Sequence, residues 1–469
     1  MRYIFSGVQS RSSAESGASM ATRRAVHSNL RAVRHVVAVA SCKGGVGKST
    51  VAVNLALGLA RRGLRVAILD ADIYGPSLPT MLRSETPPVV RPSATVEGSL
   101  DPVRYVVEGA PLGNNAISSS SSDEDGGECP PSVVLDCMSY GWVNPAAAPG
   151  AGGQGAAVVR GPLVSRLIAQ LAAHTAWGEQ DVLVIDMPPG TGDIHLTLCQ
   201  EIAISAAVVV TTPQKLSYVD VLKGMEMFAK LAVPTIALVE NMAFFDSPSD
   251  GVRHYPFGRS DPERMVQMQA AAAASWGGGT DSDDSSSSSS SSSSSATPPA
   301  VAAAVAAAAT CELPISATIS EAAERGAPVM AGFVDLDAPE ARAYAGLAAD
   351  VELALNALGH DGEAAGASRA PRLTWDEDAG MISVAVGDSA PTFDVRPAEL
   401  RRSCRCALAY DELSGEKLLD PAVVPEDLAP LSISSMGNYA VRVHWNDRSY
   451  APTCDACIYT ADTLDAMRP

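Results

Sequence analysis

The chain has 469 residues, enough for two or three domains, and only 5% of them are aromatic, so its cores must be built from aliphatic side chains. A formal net charge of −19 argues against a nucleic-acid-binding surface, which would carry an excess of lysine and arginine. No apolar run is long enough to span a bilayer, and nine scattered cysteines do not form the framework of a small secreted protein, which leaves metal or cluster binding open for them.

Residues 1–34 differ in composition from the rest of the chain. They are rich in Arg and Ser and contain one acidic residue, Glu15. This composition is typical of an organelle transit peptide, and a tail without function is the alternative. Plastid and mitochondrial signals share these features, so composition alone does not separate a chloroplast from a mitochondrial location.

The stretch Cys42 to Thr50, CKGGVGKST, lies between an apolar run, VVAVAS, and a helical pattern, STVAVNLALGLARRG. A loop in this position, made of small residues, can aim its backbone N–H groups at a phosphate. Lys48 supplies a charge for the β- and γ-phosphates, and the Ser49 hydroxyl can ligate Mg²⁺. The usual pattern has glycine where this chain has Cys42, and Lys43 is an additional lysine. The residues expected to contact the nucleotide are Lys43, Gly44, Gly45, Val46, Gly47, Lys48, Ser49 and Thr50.

Strands and helices alternate after this loop. RVAILD completes a βαβ unit, residues about 84–157 lack a clear pattern, and a solvated insert is expected at about 110–130. A helix with apolar residues at Leu163, Leu167 and Leu171 follows, and then the buried strands LVID, AAVVVTT and TIALVEN. Continuous apolar strands alternating with helices predict an α/β fold, a parallel doubly wound sheet with helices on both faces.

The remainder divides into an insert, a linker and a small domain. The serine and alanine runs at about 267–309 cannot form a core and are expected to be disordered. The first domain is expected to cover 35–345, a linker 346–370 and a second domain 371–469. In the second domain MISVAV and YAVRVHW alternate like half-exposed strands, which predicts a small β-rich fold.

Acidic residues at the ends of two predicted strands favour phosphoryl transfer. Asp186 can hold Mg²⁺ indirectly, and the Gly190 N–H can approach the γ-phosphate. Asp193 lies on the same switch-like loop. Asp70 and Asp72 end the second strand, and Asp72 is the candidate that orients the attacking water, alongside the catalytic lysines Lys43 and Lys48. Each aspartate alone could be a helix cap or turn residue, but together they favour a site.

KGGVGKST, DADIYGPSLPTML, RGPLVS, VIDMPPGTGDIHLTL and VENMAFFD, in this order, resemble the Mrp branch of the deviant-Walker P-loop ATPases, whose relatives include MinD, ParA and the nitrogenase iron protein. The resemblance implies a homodimer with two ATP molecules at its interface. Lys43 would reach the partner's phosphates, and Asn241 would contact the adenine. Members carry a 4Fe–4S cluster and pass it to apo acceptor proteins.

The chain departs from the family after Asn241. Most members have Cys-x-x-Cys there, whereas this chain reads NMAFFDSPSDGVRHYPFG, without cysteine. Together with Cys42 and the last segment, this stretch is similar to the sub-branch of plastid carriers that supply clusters for photosystem I assembly. That similarity implies the chloroplast stroma, with the mitochondrial matrix as the alternative. The last segment resembles their appended domain of unknown function (DUF971-like), although the third position of its cysteine motif is Ala409.

Four cysteines are the candidate cluster ligands, namely Cys404, Cys406, Cys454 and Cys457, because soft thiolates hold Fe–S clusters. One Cys₄ site would equally suit structural zinc. Cys42 is expected to pack against the sheet. Three functions stay open: an ATP-hydrolysing 4Fe–4S scaffold and carrier, a cluster-free regulatory ATPase, and an assembly chaperone that keeps zinc in its small domain.

Overall fold

The computed structural model describes residues 28–83, 88–108, 132–144, 161–190, 193–259, 309–358, 371–386, 391–404, 417, 419–436, 440–446 and 457–468. These residues belong to two compact units that separate between residues 370 and 371. The expected insert at 110–130 and nearly all of that at 267–309 lie outside the described residues. Among the helices of the described part, none combines the length and apolarity needed to cross a membrane.

A nine-stranded sheet forms the centre of the first unit, in the order β3-β4-β2-β5-β1-β6-β7-β8, with β9 also paired to β7. The strands are β1 (Val33–Ala40), β2 (Val66–Asp70), β3 (Val103–Glu108), β4 (Ser132–Ser139), β5 (Gln180–Asp186), β6 (Ala206–Thr211), β7 (Thr235–Asp246), β8 (Arg253–His254) and β9 (Ala309–Pro314). The pairs β3–β4 and β7–β8 are antiparallel, and the other pairs are parallel.

The helices of this unit cover both faces of the sheet. They are α1 (Lys48–Arg61), α2 (Leu78–Met81), α3 (Tyr140–Val143), α4 (Gly161–His174), α5 (Asp193–Glu201), α6 (Lys215–Lys230), α7 (Ala317–Arg325) and α8 (Pro339–Ala357). Alternate residues of β1 belong to different cores. Val37 and Val39 pack with α1 and α8, while Val36 and Ala38 pack with α4, α5 and α6. The predicted doubly wound α/β fold is therefore confirmed.

Two boundaries and one stretch of the chain differ from the expectation. Strand β1 begins at Val33 and Leu30 is buried in the core, so the folded chain starts inside the expected leader 1–34. Helix α8 runs through residues 345 and 346, where the linker was expected to begin, because its apolar face covers α1. The antiparallel strands β3 and β4 lie in the stretch that showed no clear pattern.

The second unit is β-rich, as predicted. One three-stranded sheet contains β10 (Pro371–Asp376), β11 (Met381–Val386) and β12 (Phe393–Val395), and a second contains β13 (Pro430–Met436), β14 (Ala440–Trp445) and β15 (Cys457–Thr460). Two short helices, α9 (Pro397–Arg402) and α10 (Ala461–Asp465), complete it. Val441, Val443 and Trp445 share its buried core, which confirms the predicted apolar face of β14.

Candidate nucleotide site and cysteine cluster

The loop between β1 and α1 has the backbone of a phosphate cradle. Gly45 and Gly47 adopt φ values of 78° and 82°, which side chains rarely allow. A Cβ on Gly47 would collide with the side-chain amide of Asn241, and that amide donates to the Val46 carbonyl at 2.8 Å. Asn241 thus braces the loop here. Its expected contact with adenine stays a prediction.

Lys48 and Asp186 meet at the start of α1. Both side chains are buried, and the Lys48 ammonium forms an ion pair with Asp186 Oδ1. The same ammonium donates to the Ser49 hydroxyl at 3.2 Å. The sequence predicted all three residues, and the structure brings them together. A hydroxyl, a carboxylate and a lysine fit a Mg²⁺–phosphate group, whose oxygen-seeking metal and anionic oxygens these groups match.

Asp70 lies beside Asp186 but has a structural role. Its carboxylate accepts from Ser77 N at 2.9 Å, Leu78 N at 3.1 Å and Ser139 Oγ at 3.0 Å, which holds the start of α2. Burial, followed by the charge of Asp186, raises the pKa of Asp70 to about 7. Ionising both of these neighbouring buried carboxylates costs free energy, because their negative charges repel. The positive charge of Lys48 offsets this repulsion, so the position of Lys48 determines how many of the two are ionised.

Asp72 is half-buried, and its Oδ1 accepts from Gly75 N at 3.1 Å. This bond shapes the turn after β2, which is the ordinary role of an aspartate at this position. Its expected part in orienting the attacking water stays a prediction.

Lys43 contacts its own chain. Its ammonium lies 3.3 Å from Ser217 Oγ and 3.5 Å from Asp220 Oδ2, both on α6. Cys42 was expected to pack against the sheet, and it also contacts α6 through the backbone of Gly224. Burial together with the charge of Asp220 raises the pKa of its thiol to about 11. A thiol with that pKa is neutral and unreactive at pH 7.

The segment that follows Asp186 is hydrogen-bonded to β1 and to the residue that follows β1. The Met187 N–H donates to the Val39 carbonyl, and the Gly190 N–H donates to the Ser41 carbonyl, each at 3.0 Å. The Gly190 N–H is therefore bonded to the glycine loop here, and its expected contact with a γ-phosphate stays a prediction. Asp193 begins α5, and its side chain lies outside the described residues.

Two of the candidate cluster ligands lie together in the second unit. Cys404 and Cys457 are both buried in its core. Burial, followed by Cys457 and Cys404, raises the pKa of the buried Tyr459 hydroxyl well above its usual range, so both thiols lie close to this one side chain. Cys406 and Cys454 lie outside the described residues. Within the described part, no group of three His, Cys, Asp or Glu side chains forms a metal site.

A hairpin of β7 and β8 follows Asn241, in the stretch where the resemblance to the Mrp branch would imply a cysteine pair. Arg253 Nε and Nη2 donate to the two oxygens of Asp246 at 2.7 and 2.8 Å. The guanidinium also lies 3.6 Å from the centre of the Phe244 ring. Residues of β7 and β8 therefore pair with one another, and the described stretch 241–259 contains no thiol.

Sequence reasoning missed three side chains around this site: Ser217, Asp220 and His195. Ser217 and Asp220 occupy positions i and i+3 of α6, a spacing that places both on one helix face and could have indicated a partner for Lys43. His195 is the single histidine of the mixed polar and apolar helix α5, and no pattern in the sequence singles it out.

The comparison with protein families decides the affiliation of the chain. Residues 32–275 match the ParA family model, described as NUBPL iron-transfer P-loop NTPase, and this range is more than half of the 469 residues. The chain belongs to this family. Residues 373–465 match a second model, gamma-butyrobetaine hydroxylase-like, N-terminal, which corresponds to the β-rich unit.

Several known proteins are similar to this family member. The Fe-S cluster assembly factor HCF101, chloroplastic, from Oryza sativa subsp. japonica is 38% identical over 89% of this chain and 63% of its own length. The iron-sulfur cluster carrier protein of Escherichia coli (strain K12) is 39% identical over 51% of this chain and 54% of its own. The chain thus spans less than two thirds of the length of these relatives.

Among solved structures, a nucleotide-binding protein from Archaeoglobus fulgidus in complex with ADP is 27% identical. The match covers 64% of this chain and 88% of that protein, with a TM-score of 0.43.

Proposed function

We propose that the chain binds and hydrolyses Mg²⁺–ATP and carries a 4Fe–4S cluster to apo acceptor proteins in the chloroplast stroma. The observation that carries the ATPase half is the convergence of Lys48, Ser49 and Asp186 beside the glycine loop, with Lys43 at the start of that loop. The names of the relatives, an assembly factor and a cluster carrier, support the cargo and the compartment.

The chain's own residues suggest how nucleotide binding begins. Lys48 exchanges Asp186 for the β- and γ-phosphates, and Asp186, once released, is available with Ser49 to hold Mg²⁺. The bound metal supplies positive charge that offsets the negative charge developing on the phosphates. The Gly190 N–H exchanges the Ser41 carbonyl for the γ-phosphate, which would couple the loop before α5 to the state of the nucleotide.

Lys43 is proposed to act across a homodimer. In one chain it is held by Ser217 and Asp220, so it must leave α6 to reach a partner's phosphates. Lys43→Ala should then abolish ATP turnover while Lys48 still binds nucleotide. Normal hydrolysis in this variant, measured as phosphate release, would refute the action across the dimer.

Cys404 and Cys457 are the two proposed cluster ligands among the described residues, and both are buried in the core of the second unit. Thiolates are the ligands Fe–S clusters require, commonly four per cluster, so two from each of two chains could suffice. Cys406 and Cys454 remain proposed as further ligands. Targets of the photosystem I type are proposed on the resemblance alone.

A cluster-free ATPase is the second candidate, and the hairpin after Asn241 favours it. The bidentate pair of Arg253 with Asp246 closes the stretch where the resemblance to the Mrp branch would imply a cysteine pair, and the described residues 241–259 contain no thiol. In this case the chain would use ATP to regulate or assemble a partner, and the second unit would bind zinc or no metal.

Anaerobic reconstitution separates the two candidates. The purified full chain is incubated with iron and sulfide, and its visible absorption and iron content are recorded before an apo-ferredoxin is added. A carrier should form a cluster and pass it on. If no cluster forms and none is transferred, the carrier function fails. Replacing Cys404 and Cys457 by Ser, with unchanged iron content, would contradict only this choice of ligands.

A further inference from the structure

A buried histidine lies near Lys48 of the nucleotide site and takes no part in holding the glycine loop. His195 is in the first turn of α5 and is only 1% exposed. Its ring has a backbone hydrogen bond with Pro188, in the segment between Asp186 and Gly190. This hydrogen bond connects α5 to the segment that follows Asp186.

The two ring nitrogens of His195 have different environments. Proline has no N–H, so its backbone partner can only be the Pro188 carbonyl, and the nitrogen that donates to it carries the hydrogen. Nε2 is the nitrogen without a hydrogen-bond partner among the described residues, so Nδ1 is the donor. In a neutral imidazole this leaves Nε2 as a buried acceptor.

The neutral form of His195 is strongly favoured. Burial, followed by the positive charge of Lys48, lowers the pKa of His195 to about 4. The effect of Lys48 also shows that the ring lies within electrostatic reach of the ammonium that binds Asp186. A buried acceptor without a donor is costly, and such atoms in folded proteins often await a water, an ion or a ligand.

We propose that His195 is a positioning residue whose Nε2 accepts a hydrogen bond from a water ligand of Mg²⁺ when nucleotide is bound. This inference rests on the proposed binding of Mg²⁺–ATP. Mg²⁺ keeps several of its waters in protein sites, and the bound ion polarises them into good donors. Lys48 does not supply this donor here, because its ammonium bonds Asp186 and Ser49 while Nε2 has no partner among the described residues.

Two substitutions separate the two nitrogens. The amide nitrogen of Asn lies as many bonds from Cβ as Nδ1 does, so His195→Asn keeps a donor for Pro188 and removes Nε2. The amide group of Gln extends to the position of Nε2, so His195→Gln can keep an acceptor there. Ser49→Ala removes a proposed metal ligand. It is the positive control, because it should reduce the gain in ADP affinity that Mg²⁺ provides.

The measurement is the affinity of the full chain for ADP by titration calorimetry, with Mg²⁺ and with EDTA. We expect Mg²⁺ to tighten ADP binding in the parent protein. In His195→Asn this gain should shrink by about fivefold, the value of one hydrogen bond, with the affinity in EDTA unchanged. His195→Gln should keep most of the gain.

Each other outcome is informative. An undiminished Mg²⁺ gain in His195→Asn would overturn the inference while leaving the proposed function intact. Equal losses with Mg²⁺ and with EDTA would mean that His195 only supports the fold, and thermal melting of each variant would show this directly. If the parent protein binds no nucleotide under either condition, the proposed function fails and the inference fails with it.

Discussion

At the scale of single residues, the charge balance of the nucleotide site depends on Lys48. Its ammonium is the cation paired with Asp186, and Asp70 lies next to that carboxylate on the neighbouring strand. The single positive charge of Lys48 thus stabilises the ionised forms of both Asp186 and Asp70. The same lysine lowers the pKa of both Asp70 and His195, so a change at this position alters the protonation of both groups.

Lys48→Ala should reduce ATP turnover by about 10²-fold or more, because it removes a preorganised charge from the phosphates. Lys230→Ala removes an exposed lysine at the end of α6 and is the matched control. Phosphate release under saturating ATP checks both. Turnover by Lys48→Ala within tenfold of the control would contradict the assignment of this lysine.

His195 should make the stability of the protein depend on pH. Its folded pKa of about 4 lies below the unfolded value of 6.5, so the unfolded chain binds more protons between these two values. Stability is therefore lost as the pH falls from about 6.5 to 4, by at most about 3 kcal/mol from this group.

Urea unfolding of the parent protein and of His195→Asn over this pH range checks the expectation. As the pH falls, the free energy of unfolding of the parent protein should decrease more than that of His195→Asn. A constant difference from pH 7 to 4 would contradict it.

Sequence reasoning found some of these residues and missed others for a physical reason. Lys48, Ser49 and Asp186 belong to motifs whose spacing follows from phosphate binding, so they can be located without coordinates. His195 acts through a contact with the Pro188 carbonyl, and Asp220 acts through its contact with Lys43, 177 positions earlier in the chain. The contact with Pro188 follows no known motif spacing, and the i, i+3 spacing of Ser217 and Asp220 marks one helix face without giving its distance to Lys43.

At the scale of elements, the glycine loop is held from outside by β7. The amide of Asn241 occupies the space beside Gly47, and it bonds the Val46 carbonyl. The conformation of the loop therefore depends on a residue almost 200 positions later, as well as on its own glycines.

Gly47→Ala should lower stability by about 1–2 kcal/mol from its left-handed backbone alone and also displace Asn241, so nucleotide affinity should fall. Gly346→Ala is the matched control, because this glycine is on an exposed position of α8 with open space around it. The control should raise stability by up to about 1 kcal/mol. Equal melting temperatures for the two variants would contradict this reading of the loop.

The predictable elements were those with a single continuous pattern. β5, β6 and β7 are buried on both faces, and their apolar runs identified them. β3 and β4 were missed because they pair at the edge of the sheet, where Val106 and Val134 remain exposed and the burial signal is mixed.

At the scale of the whole molecule, α1 depends on chain far beyond it. α8 covers it, and a Cβ on Gly58 would come within 2.9 Å of that of Ala348. The turn at Val329–Ala331 holds it as well, since Asn54 accepts from Met330 N at 2.9 Å and Arg61 donates to the Met330 carbonyl at 2.6 Å. The β-rich unit contributes a separate core.

Truncation should therefore have opposite effects at two positions. A chain ending after residue 370 should fold and bind ADP, because β9 and α8 are retained. A chain ending after residue 259 should fail to fold, since the apolar surface of α1 that α8 covers would be left in water. Circular dichroism and ADP titration check both, and a folded product from the shorter chain would contradict the dependence.

The ion pair of Arg62 with Glu352 joins residues 290 positions apart. At about 5–20 residues per second, a ribosome needs roughly 15–60 s to make the chain between them. During that time the helix behind the glycine loop has emerged without its cover. Newly made chains should thus depend on chaperones that shield apolar surface. Their yield should respond to the speed of translation between α1 and α8.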